Sequence, residues 1–181
     1  MSTMSGPIFR FLAADHARLD GLLQRAATDP DHIDLRLYSE FRAGLLKHIG
    51  MEEKVLLPTA QRARGDEPLP IAAKLRLDHG AIAALLVPTP TPAIVSALRS
   101  ILAAHNEIEE GPNGLYETCD QLLGAESGAV LDRLRRYPEV PLAPHNDEPR
   151  VMEATRRALM RAGYRVQADM FAAGTRPNED A

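Results

Sequence analysis

Tryptophan is absent from this chain of 181 residues, and Cys119 is its single cysteine. One thiol excludes an internal disulfide framework and also a thiolate metal cluster within one chain. Aromatic residues make up only 4% of the sequence. A core must therefore be assembled from Leu, Ile, Val and Ala, which favours helices over a sandwich. No window approaches eighteen uninterrupted apolar residues, so no membrane span is expected. The opening MSTMSGPIFRFLAADH lacks a charged start followed by a long apolar run and does not read as a signal peptide. A basic excess is missing too: the net charge is −4, which leaves no electrostatic footprint for nucleic acid. The expectation is a soluble, cytoplasmic protein of one domain with an appendage, long enough to bury a real core.

What is present is helical periodicity, cut by Pro, Gly and Asp. A first helix is predicted from about Pro7 to Ala27, with Ser5 as N-cap, Pro7 in the opening turn and a seam of Phe9, Leu12, Leu19 and Leu23. Thr28-Asp29-Pro30-Asp31 ends it. A second is predicted from about Ile33 to Ala63, with Pro58 kinking or ending its regular part because proline removes a backbone donor. A third runs from about Pro70 to Leu86. Thr91-Pro92 then reads as a cap plus first-turn proline for a fourth, interrupted at Gly111-Pro112-Asn113-Gly114 and resuming from Leu115 to Leu123. The pattern gives an all-α protein: an antiparallel, up-down-up-down four-helix bundle over residues 1–124, followed by an extension over 125–181. In that extension Ala129 to Tyr137 could add a short helix, and Pro138 to Pro149 reads as a linker. Glu148 to Tyr164 has the pattern of a charged amphipathic helix, and the last dozen residues read as disordered.

Two segments repeat a chemical pattern. HIGMEEKVLLP begins at His48, and HNEIEEGPNGLY begins at His105. Each places a glutamate four positions after the histidine and a second glutamate beside it. DHARLDGLL, from Asp15, and DHGAIAALL, from Asp78, repeat likewise. The chain thus reads as two helical hairpins, each DH followed by HxxxEE, around a pseudo-twofold axis. Residues four apart stack on one helical face about 6 Å apart. His48 with Glu52, and His105 with Glu109, can therefore point into one cavity, with His16 and His79 mid-seam on the other two helices.

Two carboxylates buried among Leu and Ile would each cost several kcal/mol without partners. No Lys or Arg occupies the seam at their depth, so a cation is the economical partner. Four imidazole nitrogens and two glutamates that bridge with both oxygens make eight bonds, four for each of two metal ions. Mixed imidazole and carboxylate donors with positions left open suit iron or manganese. Zinc would accept the four-donor set but usually takes Cys or His with few bridging carboxylates.

These residues resemble the hemerythrin-like proteins, the HHE cation-binding domains, over roughly Ile8 to Leu123. The resemblance is carried by His16, His48-x-x-x-Glu52, His79 and His105-x-x-x-Glu109. It implies an antiparallel four-helix bundle around two non-haem iron ions, bridged by Glu52, Glu109 and a hydroxide or oxide. The oxygen-carrying members use a fifth histidine one turn before the one matching His79, where this chain has Leu75. Their fourth-helix acid is an aspartate five residues after its histidine, whereas Glu109 follows His105 by four. The resemblance therefore implies binding or sensing of dioxygen or another small oxidant, with iron handling beside it, rather than simple oxygen carriage. An enzyme turning over peroxide or nitric oxide is the alternative, and a bundle with purely structural metal is a third.

Other residues read more plainly. His32 and His145 fall in a turn and in the proline-rich linker, as surface residues; His145 could also fold back as a lid or extra ligand. Glu53 and Glu110 lie about 100° around the helix from Glu52 and Glu109 and read as solvated. Asp15, Asp20 and Asp78 are candidate acceptors for imidazole N–H groups. Tyr116 lies seven after Glu109, on the same face of an unbroken helix, but the Gly111-Pro112 interruption works against that placement. Cys119 reads as a small core residue. The Arg-rich stretches Asp132 to Arg136 and Arg156 to Arg161 read as solvated faces. Nothing in the sequence names a protein partner.

Overall fold

The computed structural model describes residues 6–29 and 31–165. Ser5, Pro30 and the last dozen residues, each given a role above, lie outside them. Among the described residues the chain is all helical, and no helix is long and apolar enough to cross a membrane.

Helix α1 spans Pro7–Ala26. Its first turn is capped from afar: the Asp120 carboxylate accepts the amides of Ile8 and Phe9 at 3.1 and 2.9 Å. Gly6 permits this approach, since a Cβ there would lie 2.1 Å from the Asp120 carboxyl carbon. Helix α2, Leu35–Met51, starts after Asp34, whose side chain accepts from Arg36 and Leu37. That cap places the start just beyond the expected Ile33.

Instead of kinking at Pro58, the second helix widens before it. Residues Glu52–Leu56 form a π turn, and α3, Leu57–Ala63, continues from it. Pro58 has no N–H, and its ring would strike the carbonyl four residues back in a regular helix. An i→i+5 turn relieves the clash. Thr59 Oγ1 donates to the Val55 carbonyl at 2.6 Å, satisfying one acceptor in the widened stretch.

Helix α4 covers Ala72–Leu85, and α5 covers Pro92–Glu110 behind the expected Thr91 cap. The break at Gly111–Gly114 is present, and α6 resumes at Leu115–Leu123. A Cβ on Gly114 would lie 2.6 Å from the Glu109 carbonyl oxygen, so only glycine lets the chain fold back this tightly. A short 3-10 turn leads to α7, Ser127–Arg135, and an irregular stretch precedes α8, Pro149–Arg161. That stretch is held down rather than free. Arg42 donates to the Ala143 carbonyl, Asn146 N–H to the Val87 carbonyl, and Thr89 to the Asp147 carboxylate. His145 sits beside Tyr38 with Nδ1 3.3 Å from the Val87 carbonyl oxygen.

The apolar core falls into two clusters. One holds Leu19, Leu23, Phe41, Leu45, Ile82, Leu85, Ile94 and Leu98; the other holds Ile8, Leu12, Met51, Leu56, Ala72, Leu75 and Leu115. Along each of α1, α2, α4 and α5 a histidine stands at the boundary. Helices α1 and α4 pass from the second cluster to the first, and α2 and α5 pass the other way. Helix α8 lies on α4 and adds Leu159 to the first cluster; α7 lies on α1 and adds Val130 and Leu134 to the second.

Candidate metal centre

His16, His48, Glu52, His79, His105 and Glu109, all picked out by spacing, converge between the two apolar clusters. All six are buried, both glutamates completely. They form two groups of donors, His16, His48, Glu52 and Glu109 in one, Glu52, His79, His105 and Glu109 in the other. Within each group the donor atoms lie within 4.8 Å of one another, and each group could hold a metal ion. The imidazoles pair accordingly, His16 with His48 at 4.4 Å between ring centroids and His79 with His105 at 4.8 Å.

The glutamates belong to both groups because each turns one oxygen to each side. Glu52 Oε1 lies 3.3 Å from His48 Nε2, and Oε2 lies 3.1 Å from His79 Nε2. Glu109 Oε2 lies 3.4 Å from His16 Nε2, while Oε1 lies 3.2 Å from His105 Nε2. Glu52 Oε2, His79 Nε2 and Glu109 Oε1 have no hydrogen-bonding partner despite complete burial. Buried donor atoms gathered this closely are costly unless a proton or a metal ion sits among them. A cation removes that cost, so the donor set fits a metal.

Each outer ring nitrogen faces a carboxylate. His16 Nδ1 lies 2.6 Å from Glu110, His48 Nδ1 2.9 Å from Asp15, and His79 Nδ1 2.7 Å from Glu53. His105 Nδ1 faces Asp78 at 3.5 Å, a charge contact rather than a hydrogen bond. An N–H directed outward fixes the tautomer with the Nε2 lone pair inward and raises the basicity of the imidazole. Asp15 takes the role expected of it, and Asp78 faces His105 without a hydrogen bond. Asp20 does not take that role: it accepts from Gln24. Glu53 and Glu110 are not solvated spectators but imidazole acceptors, because the histidines they meet come from neighbouring helices and reach around to them. Only a cross-helix signal, absent from one helix's periodicity, could have shown this. His32 and His145 belong to neither donor group.

The electrostatics follow from burial opposed by these carboxylates. Burial disfavours the His48 imidazolium, but Glu52 and Asp15 outweigh it and raise the group to about 10. His79 is likewise lifted against burial to about 11 by Glu109, Glu52 and Glu53, and His105 to about 9 by Asp78 and Glu109. Burial pushes the Glu52 carboxyl up, yet His48 and His79 hold it well below its ordinary value. Protons and metal ions thus compete for the same nitrogens.

No family model, no curated protein and no solved structure matches this chain. The chemistry must be read from the site itself.

Tyr116 adds a residue that sequence spacing placed only on an unbroken helix. The fold-back at Gly114 delivers it to the centre regardless, with the ring fully buried. Its hydroxyl lies 2.6 Å from Glu52 Oε1, 3.1 Å from Glu109 Oε2, 3.1 Å from His48 Nε2 and 3.2 Å from His16 Nε2. A cleft of about 250 Å³ between α1, α2 and α5 reaches His16 past Leu19, Leu45, Leu102 and Asn106. A larger groove, about 740 Å³, runs over α1 and α2 and borders the centre through Asp15.

Proposed function

We propose that this chain is a non-haem di-iron protein of the hemerythrin-like, HHE type, with α1, α2, α4 and α5 as its antiparallel four-helix bundle. In this reading it binds or senses dioxygen or another small oxidant. The observation that carries the reading is the sharing of Glu52 and Glu109: each offers one oxygen to each histidine pair. Bridging carboxylates are the way two cations are held close together by so few residues. His16 and His48 would hold one ion, His79 and His105 the other.

Iron is favoured over zinc by the imidazole and carboxylate donors and by coordination positions left open. When bound, the pair supplies redox chemistry at those positions. The protein's share is to hold the nitrogens inward through Glu110, Asp15, Glu53 and Asp78, to exclude bulk water with the two apolar clusters, and to admit a small molecule along the cleft to His16. Sensing is supported by a path outward from His105. Asp78 faces His105 and accepts from Lys74, which also donates to the Ala162 carbonyl at 2.9 Å and lies 4.7 Å from the centroid of the Tyr164 ring. These contacts would link a change at His105 to the end of α8.

The test is metal analysis with optical spectra taken anaerobically and after air. Two irons per chain, with near-ultraviolet bands of a bridged ferric pair appearing in air, is the expected result. A colourless protein holding only zinc would overturn the redox reading. Repeated turnover of peroxide or nitric oxide would reassign the chain from sensor to enzyme.

A further inference from the structure

We infer that Tyr116 is itself a ligand, to the ion held by His16 and His48 and not to its neighbour, so that the two ions of the pair are chemically unequal. This rests on the dinuclear reading above.

A phenol hydroxyl offers one proton and two lone pairs, yet four polar atoms crowd the Tyr116 oxygen within 3.2 Å. As a hydrogen-bonding arrangement this is oversubscribed, since one proton and two lone pairs serve at most three of the four. As a ligand sphere it is ordinary. Donor atoms about 2.1 Å from one ion at right angles to each other stand roughly 3 Å apart. The four Tyr116 distances, 2.6 to 3.2 Å, fall around that spacing. They run to one oxygen of each glutamate and to the His16 and His48 nitrogens. None runs to His79 or His105.

The placement is built, not incidental. Tyr116 is completely buried, with Phe9 edge-on to its ring at 6.1 Å. One turn further along α6, Asp120 clamps the start of α1, so the helix cannot slide without uncapping another. Among the described residues, the other half of the centre has nothing equivalent. One turn before His79 stands Leu75, fully buried and apolar, and the unpartnered atoms Glu52 Oε2, His79 Nε2 and Glu109 Oε1 all lie on that side.

On metal binding the O–H bond breaks, its electron pair becomes the bond to the cation, and the proton leaves to solvent. A hard anionic oxygen favours the higher oxidation state, so the His16/His48 ion is the one held more firmly as ferric iron. Its neighbour keeps more open positions.

The experiment uses the full chain loaded with iron and exposed to air. Visible absorption and resonance Raman spectroscopy should show a phenolate-to-iron charge-transfer band and enhanced phenolate ring modes. Those modes should shift in protein grown with ring-deuterated tyrosine, a readout that needs no variant. Tyr116→Phe should retain two irons and the near-ultraviolet bands while losing the visible band and the ring modes. Two irons with no phenolate modes in the unsubstituted protein, or an unchanged spectrum in Tyr116→Phe, would overturn the assignment. A chain that takes up no pair of ions removes the dinuclear reading and this one with it, and the metal count separates the two failures.

Discussion

Glu53 Oε1 lies 2.7 Å from His79 Nδ1, so a residue beside Glu52 on one helix sets the orientation of an imidazole on another. Glu110 does the same for His16 at 2.6 Å. Replacing either outer carboxylate, as Glu53→Gln or Glu110→Gln, should weaken metal affinity about 10- to 100-fold without changing the number of ions held at saturation. Competition with a chromophoric chelator measures both quantities.

The inner carboxylates should behave differently. Glu52→Gln or Glu109→Gln each removes a bridge, and the count per chain should fall from two ions to one or none. Mass-spectrometric metal analysis decides this. A variant that still loads two ions would show that its glutamate does not bridge.

The metal-free protein should have a characteristic pH dependence. His48, His79 and His105 hold protons to about 10, 11 and 9 in the fold, against 6.5 ordinarily. The folded state therefore binds more protons than the unfolded one above pH 6.5. Their stabilisation is complete below that value and is lost as pH climbs through 9 to 11. Glu52 is depressed below 4.5, so its contribution is present above 4.5 and is lost as pH falls through its lower folded value. Thermal midpoints should peak between pH 4.5 and 6.5 and decline on the alkaline side. Metal uptake at neutral pH should release protons, counted by calorimetry in buffers of different ionisation enthalpy.

Cys119 is fully buried, and burial with the nearby Asp120 and Glu52 charges pushes its thiol up to about 12. It should resist alkylation in the native protein and react stoichiometrically once denaturant opens the fold. Reaction with a thiol reagent thus counts unfolded chains.

Asp120→Ala removes the carboxylate that caps α1. The expected loss is about 1 kcal/mol, as for other capping side chains, or roughly 2–4 °C in Tm for a chain of this size. A differential scan of the metal-free protein reads it directly.

The six residues that converge at the candidate site were legible because their signal is local. His48 with Glu52, and His105 with Glu109, need only the i, i+4 geometry of one helix, and His16 and His79 need only a place in an apolar seam. Glu53, Glu110 and Tyr116 were not, because their roles arise between elements. Periodicity turns Glu53 and Glu110 away from Glu52 and Glu109, and it says nothing about a neighbouring imidazole reaching outward to meet them. Tyr116 depends on how tightly the chain folds back at Gly114. The cap on α1 comes from a residue more than a hundred positions away, and no reading of the first turn could have found Asp120. The π turn was half visible: Pro58 announced a disturbance, but whether the helix bends or widens is decided by what lies on either side.

That widened turn has a mechanical corollary. Glu109 is the penultimate residue of α5, just before the break at Gly111, whereas Glu52 opens the five-residue π turn that Pro58 keeps from closing into α-helix. The two shared carboxylates thus stand on different kinds of backbone. In the proposed di-iron reading, a change in the number of atoms around the ions would therefore be met by two carboxylates with unlike supports.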